Sequence, residues 1–140
     1  MISAGRGEYE SFQVAVQAPA GGLTNVNFTV SALSGPGGAT IPQSSFSLFR
    51  EQYVYVNKSN PDWEGSNRPM GTGWYPDGLI PFNDPSTGRP ITGARLEAVP
   101  FNLTAANNQP IWVDVLVPRD AAPGQYLGNW TVTSDQGNVT

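Results

Sequence analysis

The sequence predicts an all-β protein, an antiparallel β-sandwich with one long loop at about residues 57–95. Apolar and polar residues alternate with period two in several short segments, and no window shows a sustained helical period. The 16 glycines and 13 prolines supply turns between these segments. The alternation fits an immunoglobulin-like sandwich, a jelly-roll-like sandwich or a small barrel, and it does not separate them.

The first three predicted strands follow from this alternation. Every second residue is apolar from Phe12 to Ala18, and again from Val26 to Ala32. A third strand is predicted from Phe46 to Val56, but Arg50 and Gln52 fall on its apolar face. We therefore expect a bulge or a sheet-edge position near Arg50.

Three further strands are predicted in the second half of the chain. They span Leu96–Leu103, Ile111–Val117 and Tyr126–Val132. The last of these places Tyr126 and Trp130 on the core side, with the tyrosine hydroxyl in reach of a backbone carbonyl.

The end of the sequence predicts an incomplete hairpin. Asp135–Gly137 is typical of a tight turn, and residues 138–140 begin a returning strand. Because 140 residues is one domain's length, we expect residues 1–140 to form a single β-sandwich domain, a fragment that lacks its last strand.

Composition excludes several function classes. The net charge is −4, and one lysine and six scattered arginines form no basic stripe for nucleic acid. No apolar run approaches the ~20 residues of a membrane helix. The chain has no cysteine and no histidine, which excludes Ser-His-Asp and Cys-His catalysis and the usual zinc sites. We expect no cofactor.

The long loop holds the candidate binding residues. Aromatic rings stack on the flat C–H face of a sugar, and charged side chains bond its hydroxyls. This chemistry gives a carbohydrate-binding set: Trp63, Arg68, Trp74, Tyr75 and Asp77. The competing interpretation is structural: Tyr75–Gly78 is a turn, and the apolar side chains around it cap an open end of the sandwich, or dock against another domain.

Loop carboxylates also suggest a weaker calcium hypothesis. Asp62, Asp77 and Asp84 are the candidate ligands, although their spacing matches no EF-hand loop. Ordinary solvated loop acids are the better explanation of these residues.

Four segments in order carry a family resemblance: GEYESFQVAV from Gly7, YVYV from Tyr53, YPDGLIP from Tyr75, and QPIWVDVLVPRDAAPGQYLGNWTV from Gln109. From about Gly5 to Val132 the chain resembles the N-terminal β-sandwich domain of secreted bacterial proteins related to glycoside hydrolase family 123. The resemblance implies a downstream (β/α)8 barrel with β-N-acetylgalactosaminidase-like chemistry, dependent on an Asp-Glu pair that has no counterpart here. No catalytic residue therefore carries over.

We accordingly expect a non-catalytic accessory domain of a secreted or periplasmic glycoside hydrolase, with its signal peptide absent from this sequence. Its expected partners are the downstream catalytic barrel and a glycan, with no nucleic acid and no membrane. Two alternatives stay open: an independent carbohydrate-binding module, and a structural or adhesive unit that assembles by strand addition.

Overall fold

Two four-stranded antiparallel sheets pack face to face in the computed structural model, which describes residues 1–58 and 71–140. The strands are β1 (Tyr9–Gln17), β2 (Leu23–Val30), β3 (Leu33–Ser34), β4 (Thr40–Ile41), β5 (Phe46–Val56), β6 (Gly73–Pro81), β7 (Phe101–Leu103), β8 (Asn108–Leu116), β9 (Trp130–Ser134) and β10 (Gly137–Val139). Sheet 1 has the order β1-β8-β5-β6, and sheet 2 has the order β10-β9-β2-β7. The predicted fold class is confirmed.

Short connections complete the described structure. β3 and β4 pair separately, and two single 3-10 turns lie at Pro36–Gly38 and Gln43–Ser45. Within the described residues, no helix has the length and apolar character needed to cross a membrane.

The core lies between the inner faces of the two sheets. Val26 and Phe28 of sheet 2 face Ile111 and Val113 of sheet 1, and all four are buried. Alternation along each strand sends these side chains inward and their neighbours outward. The β-branched run of β8 therefore supplies the centre of the core, as the sequence predicts.

Two predicted strands are wrong in extent. The strand predicted at Leu96–Leu103 begins only at Phe101, because the preceding Pro100 cannot donate to a ladder and the chain bends before it. The strand predicted at Tyr126–Val132 is Trp130–Ser134 instead. Tyr126 lies in the connection before it, where its hydroxyl donates to the Ala122 carbonyl at 3.0 Å, confirming the predicted bond.

Trp130 was expected in the core, but 39% of its side chain is exposed. Its ring stacks on Phe28, with centroids 6.2 Å apart, on the inner face of sheet 2. The exposed part faces a cleft beside β1 rather than a covering strand.

β6 contradicts the prediction of one structureless loop over residues 57–95. Tyr75–Gly78 is part of this strand and not a turn. β6 pairs with β5 from Val56↔Gly73 to Phe49↔Pro81, and no other strand of the described chain pairs with its other side, which makes β6 an edge strand. Prolines are tolerated at an edge where the missing N–H would face away from the neighbouring strand.

A bulge at Asp77 gives both prolines of β6 that orientation. Near the end of the strand, the N–H of Phe82 donates to the Leu48 carbonyl at 3.0 Å, so Pro81 faces outward. The register then shifts from Gln52↔Gly78 to Tyr53↔Pro76, which leaves Asp77 as an extra residue. The shift changes which residues face β5, and Pro76 also faces outward.

Arg50 has a regular position, so the bulge predicted near it lies elsewhere. It pairs with Ile111 on β8 and with Ile80 on β6, and β5 is therefore not an edge strand. Its guanidinium lies 5.5 Å from the ring centroid of Phe101. Burial lowers the pKa of Arg50, and its buried Nε has no hydrogen-bond partner in the described part of the chain.

Candidate functional site

An exposed aromatic pair lies on the outer face of sheet 1, where β5 and β6 end. Tyr55 and Trp74 are directly opposite each other in the strand register. Their ring centroids are 5.2 Å apart with the planes tilted by 58°, and 54% of Tyr55 and 66% of Trp74 are exposed. Cross-strand pairing thus holds two large rings together at the surface, an arrangement suited to stacking or docking.

The structure separates two residues of the predicted carbohydrate set. Trp74 and Tyr75 are consecutive in a regular part of β6, so their side chains point to opposite faces of the sheet. The hydroxyl of Tyr75 donates to the Gly71 carbonyl at 3.1 Å, and Asp77 is exposed at the bulge. Trp63 and Arg68 lie outside the described residues.

Tyr55 is the neighbour of Trp74 that the sequence analysis missed. The signal was present, because β5 sends Phe46 and Leu48 inward and every odd-numbered residue outward. An aromatic residue at position 55 therefore lies on the outer face. The prediction of a loop over residues 73–81 hides this pairing, because Tyr55 then has no facing strand.

The predicted cap of the sandwich is only partly present. Phe82 is buried and Ile80 packs against the core, as that interpretation requires. Trp74 and Leu79 instead remain exposed. The exposed apolar surface of sheet 1 therefore lies on its outer face and not at the open end.

Glu51 lies on this outer face and is only 4% exposed. Its carboxylate accepts a hydrogen bond from Gln13 Nε2, which crosses from β1. Its backbone carbonyl accepts a bond of 2.7 Å from Gln109 Nε2. Pro110 stands opposite Glu51 and has no N–H, so the Gln109 side chain supplies the donor that the ladder lacks at this point.

Comparison with known families decides the identity of the domain. Residues 1–134 match the model of the glycoside hydrolase 123 N-terminal domain. The chain belongs to this family. The predicted resemblance is thereby confirmed over almost the whole chain.

Solved structures agree on the fold. One match is the structure of a family 123 glycoside hydrolase from Clostridium perfringens that was solved to explain glycolipid glycan hydrolysis. The two chains are 19% identical with a TM-score of 0.61, and the match covers 94% of this chain but only 19% of that one. No curated protein matches this chain.

Several carboxylates of this family 123 N-terminal domain hold local structure. Asp114 accepts bonds from Ser11 and from the indole N–H of Trp112, at 2.5 and 2.7 Å. Asp135 accepts bonds from Thr24 and Asn25, both at 2.7 Å. These contacts join strands or turns to one another.

Asp84 closes its own turn. Its carboxylate accepts bonds from the Ser86 hydroxyl and backbone N–H at 2.6 and 2.7 Å, and the hydroxyl bond is the main reason why the pKa of Asp84 is lowered. Residues 1–58 and 71–140 contain no group of three side chains arranged to hold a metal ion. Of the other calcium candidates, Asp77 is exposed and Asp62 lies outside those ranges.

Proposed function

We propose that this chain is the non-catalytic N-terminal accessory domain of a secreted or periplasmic glycoside hydrolase, and that it supports a catalytic (β/α)8 barrel in the same protein. Family membership supports the link to a hydrolase, and the chain spans 19% of the matched Clostridium structure. In this proposal, residues 1–140 form one sandwich domain and the barrel follows it.

The exposed pair of Tyr55 and Trp74 is the observation that carries the proposal. Two adjacent aromatic rings with Leu79 exposed on the same face make an apolar surface that a monomeric domain rarely leaves open without a partner. Contacts between domains of one chain use surfaces of this kind. We assign this face to the barrel.

The available side chains support the absence of catalysis. The chain contains neither histidine nor cysteine. The carboxylates of Glu51, Asp84, Asp114 and Asp135 are all hydrogen-bonded to neighbouring groups. A glycosidase needs two carboxyl groups about 5 Å or about 6.5–9.5 Å apart across an open site.

The test compares the 140-residue chain with the full-length protein on an aryl β-N-acetylgalactosaminide. We expect turnover from the full-length protein alone. In that protein, Trp74→Ser should split one calorimetric unfolding transition into two, because the domains lose their shared contact. Leu127→Ser, which changes an exposed apolar side chain away from this face, is the control. Turnover by the 140-residue chain would refute the proposal.

Direct glycan contact is the second candidate function, and the same exposed rings favour it. Trp74 with Tyr55 would stack on a pyranose face, and Asp77, Trp63 and Arg68 remain its proposed polar and aromatic neighbours, whereas Tyr75 points to the other face. Saturation-transfer NMR with N-acetylgalactosamine oligosaccharides tests it on the 140-residue chain. Trp74→Ala should weaken binding about tenfold or more, and Trp130→Ala should leave it unchanged. Absence of saturation transfer from the wild-type chain to these oligosaccharides would exclude this function.

A further inference from the structure

The open edge of β1 carries a regular row of unpaired backbone groups. At one end the Glu8 carbonyl accepts from the N–H of Val117, and at the other the N–H of Ala18 donates to the Asn107 carbonyl. The register between these points has no shift, so even-numbered residues of β1 bond to β8. The backbone groups of the five odd-numbered residues therefore point away from the sheet: Tyr9, Ser11, Gln13, Ala15 and Gln17.

This edge lacks the features that prevent strand pairing. β1 is nine residues long and contains no proline, lysine, arginine or bulge. No backbone hydrogen bond from the rest of the described chain reaches its outward groups. Sheet edges of this length normally carry such protection unless another element covers them.

A cleft of about 380 Å³ opens directly beside this edge, between the two sheets. Its apolar walls come from Val14 and Val16 of β1, Leu23 of β2, Trp130 and Val132 of β9, and Val139 of β10. Sheet 1 ends at β1, so no strand formed by residues 1–58 and 71–140 lies opposite the exposed part of Trp130. An added strand would pair with the β1 backbone and place every second side chain in this cleft.

We propose that a strand from the polypeptide downstream of Thr140 adds to β1 and fills the cleft, which completes sheet 1 and fixes the following domain to the sandwich. This inference rests on the proposed function, which supplies the downstream chain. Val139 already lines the cleft, and an extended chain crosses the ~10 Å between sheets in about three to four residues. The occupant is an extended segment with alternate apolar residues.

Amide hydrogen exchange tests the proposal on the 140-residue chain and on the full-length protein. We expect the amides of the five outward residues of β1 to exchange about tenfold or more slowly in the full-length protein. Trp130 emission should shift to shorter wavelength in the same comparison. The amide of Val14, which already bonds to β8 in the 140-residue chain, is the control for a general change in stability.

A proline variant tests the same contact by stability. Ala15→Pro removes one outward N–H of β1, and it should lower the Tm of the full-length protein more than that of the 140-residue chain. Ala15→Ser keeps this N–H at an exposed position, so it is the matched control and should act equally in both. Should Ala15→Pro prevent folding, the wild-type exchange experiment still decides.

Each result separates this inference from the proposed function. A full-length protein with a downstream hydrolase domain and unprotected β1 amides overturns the inference alone. Protection that appears in the 140-residue chain only as it dimerises assigns the edge to a second copy and also overturns it. A reading frame that stops at Thr140 overturns both proposals.

Discussion

The two edges of sheet 1 differ in how they treat backbone pairing. β6 carries Pro76 and Pro81 with both rings on its open side, and the bulge at Asp77 interrupts its regular pleat. β1 has neither feature, and within the described residues its outward donors and acceptors have no backbone partner. The β6 edge is thus protected against strand addition, whereas the β1 edge is suited to it.

The comparison also shows that the direction of the missing N–H decides where proline is tolerated. The backbone nitrogens of Pro76 and Pro81 point away from β5, whereas the backbone nitrogen of Pro110 in the inner strand β8 points toward β5. There the side chain of Gln109 replaces the lost donor. Proline in a strand therefore requires either an outward N–H or a substitute donor.

The largest loss of stability is expected from a change in the core between the two sheets, because both edge strands pack on it. Ile111→Ala removes a side chain with no exposed surface, so it should lower the free energy of unfolding by about 2–5 kcal/mol. Urea denaturation of the 140-residue chain measures this loss. Leu79→Ala, on the exposed face, is the control and should cost far less. Equal losses would contradict the assignment of the core.

Gly78→Pro tests the ladder of the β6 edge. The N–H of Gly78 faces β5, like that of Phe82, so its loss removes a donor from the ladder and should cost about 1–3 kcal/mol by urea denaturation. Gly78→Ala keeps the N–H and is the control, because a Cβ there meets only the Cβ of Gln52 at 3.6 Å. If the two changes cost the same, the assigned direction of the N–H groups in β6 is wrong.

Gln109→Ala tests the substitute donor in the sheet interior. The Glu51 carbonyl would lose its bond, and we expect a loss of about 1–2 kcal/mol in the free energy of unfolding. In a Pro110→Ala background the backbone N–H is restored, so the same change should cost less. An unchanged cost in that background would show that Gln109 acts in another way.

The smallest effect concerns the turn that follows the β6 edge. The folded pKa of Asp84 lies below its ordinary value of 3.8, so its stabilising contribution is present above that value and is lost as the pH falls through the folded pKa. Ser86→Ala should therefore lower the Tm slightly at pH 7 and not at all once Asp84 is protonated. Ser86→Thr keeps a hydroxyl and is the control; a loss of Tm that is independent of pH would contradict this account.

Alternation predicts the inner strands well and the β6 edge poorly. β2 and β8 carry buried apolar residues at every second position over most of their length, and the sequence locates both. β6 escapes because its prolines and glycines are typical of turns, and its bulge breaks the period. The direction of an N–H depends on the neighbouring strand, which a local pattern does not contain.

The same limit applies to the candidate site. The importance of Trp74 is readable from its position in an aromatic segment, but its partner depends on register. Only the pairing of β5 with β6 brings Tyr55 opposite it and sends Tyr75 to the other face. Site residues on a single strand were thus found together, and residues joined across strands were not.

The extra residue at Asp77 has a consequence for reading related sequences. Pro76 and Pro81 are five positions apart, an odd interval, and both rings share one side only because a residue is inserted between them. In a relative whose prolines are separated by an even interval, a flat strand would serve without any insertion. In an alignment, an odd interval between the two prolines therefore predicts a bulged strand, and an even interval predicts a regular one. A gap of one position between them indicates the loss of the bulge.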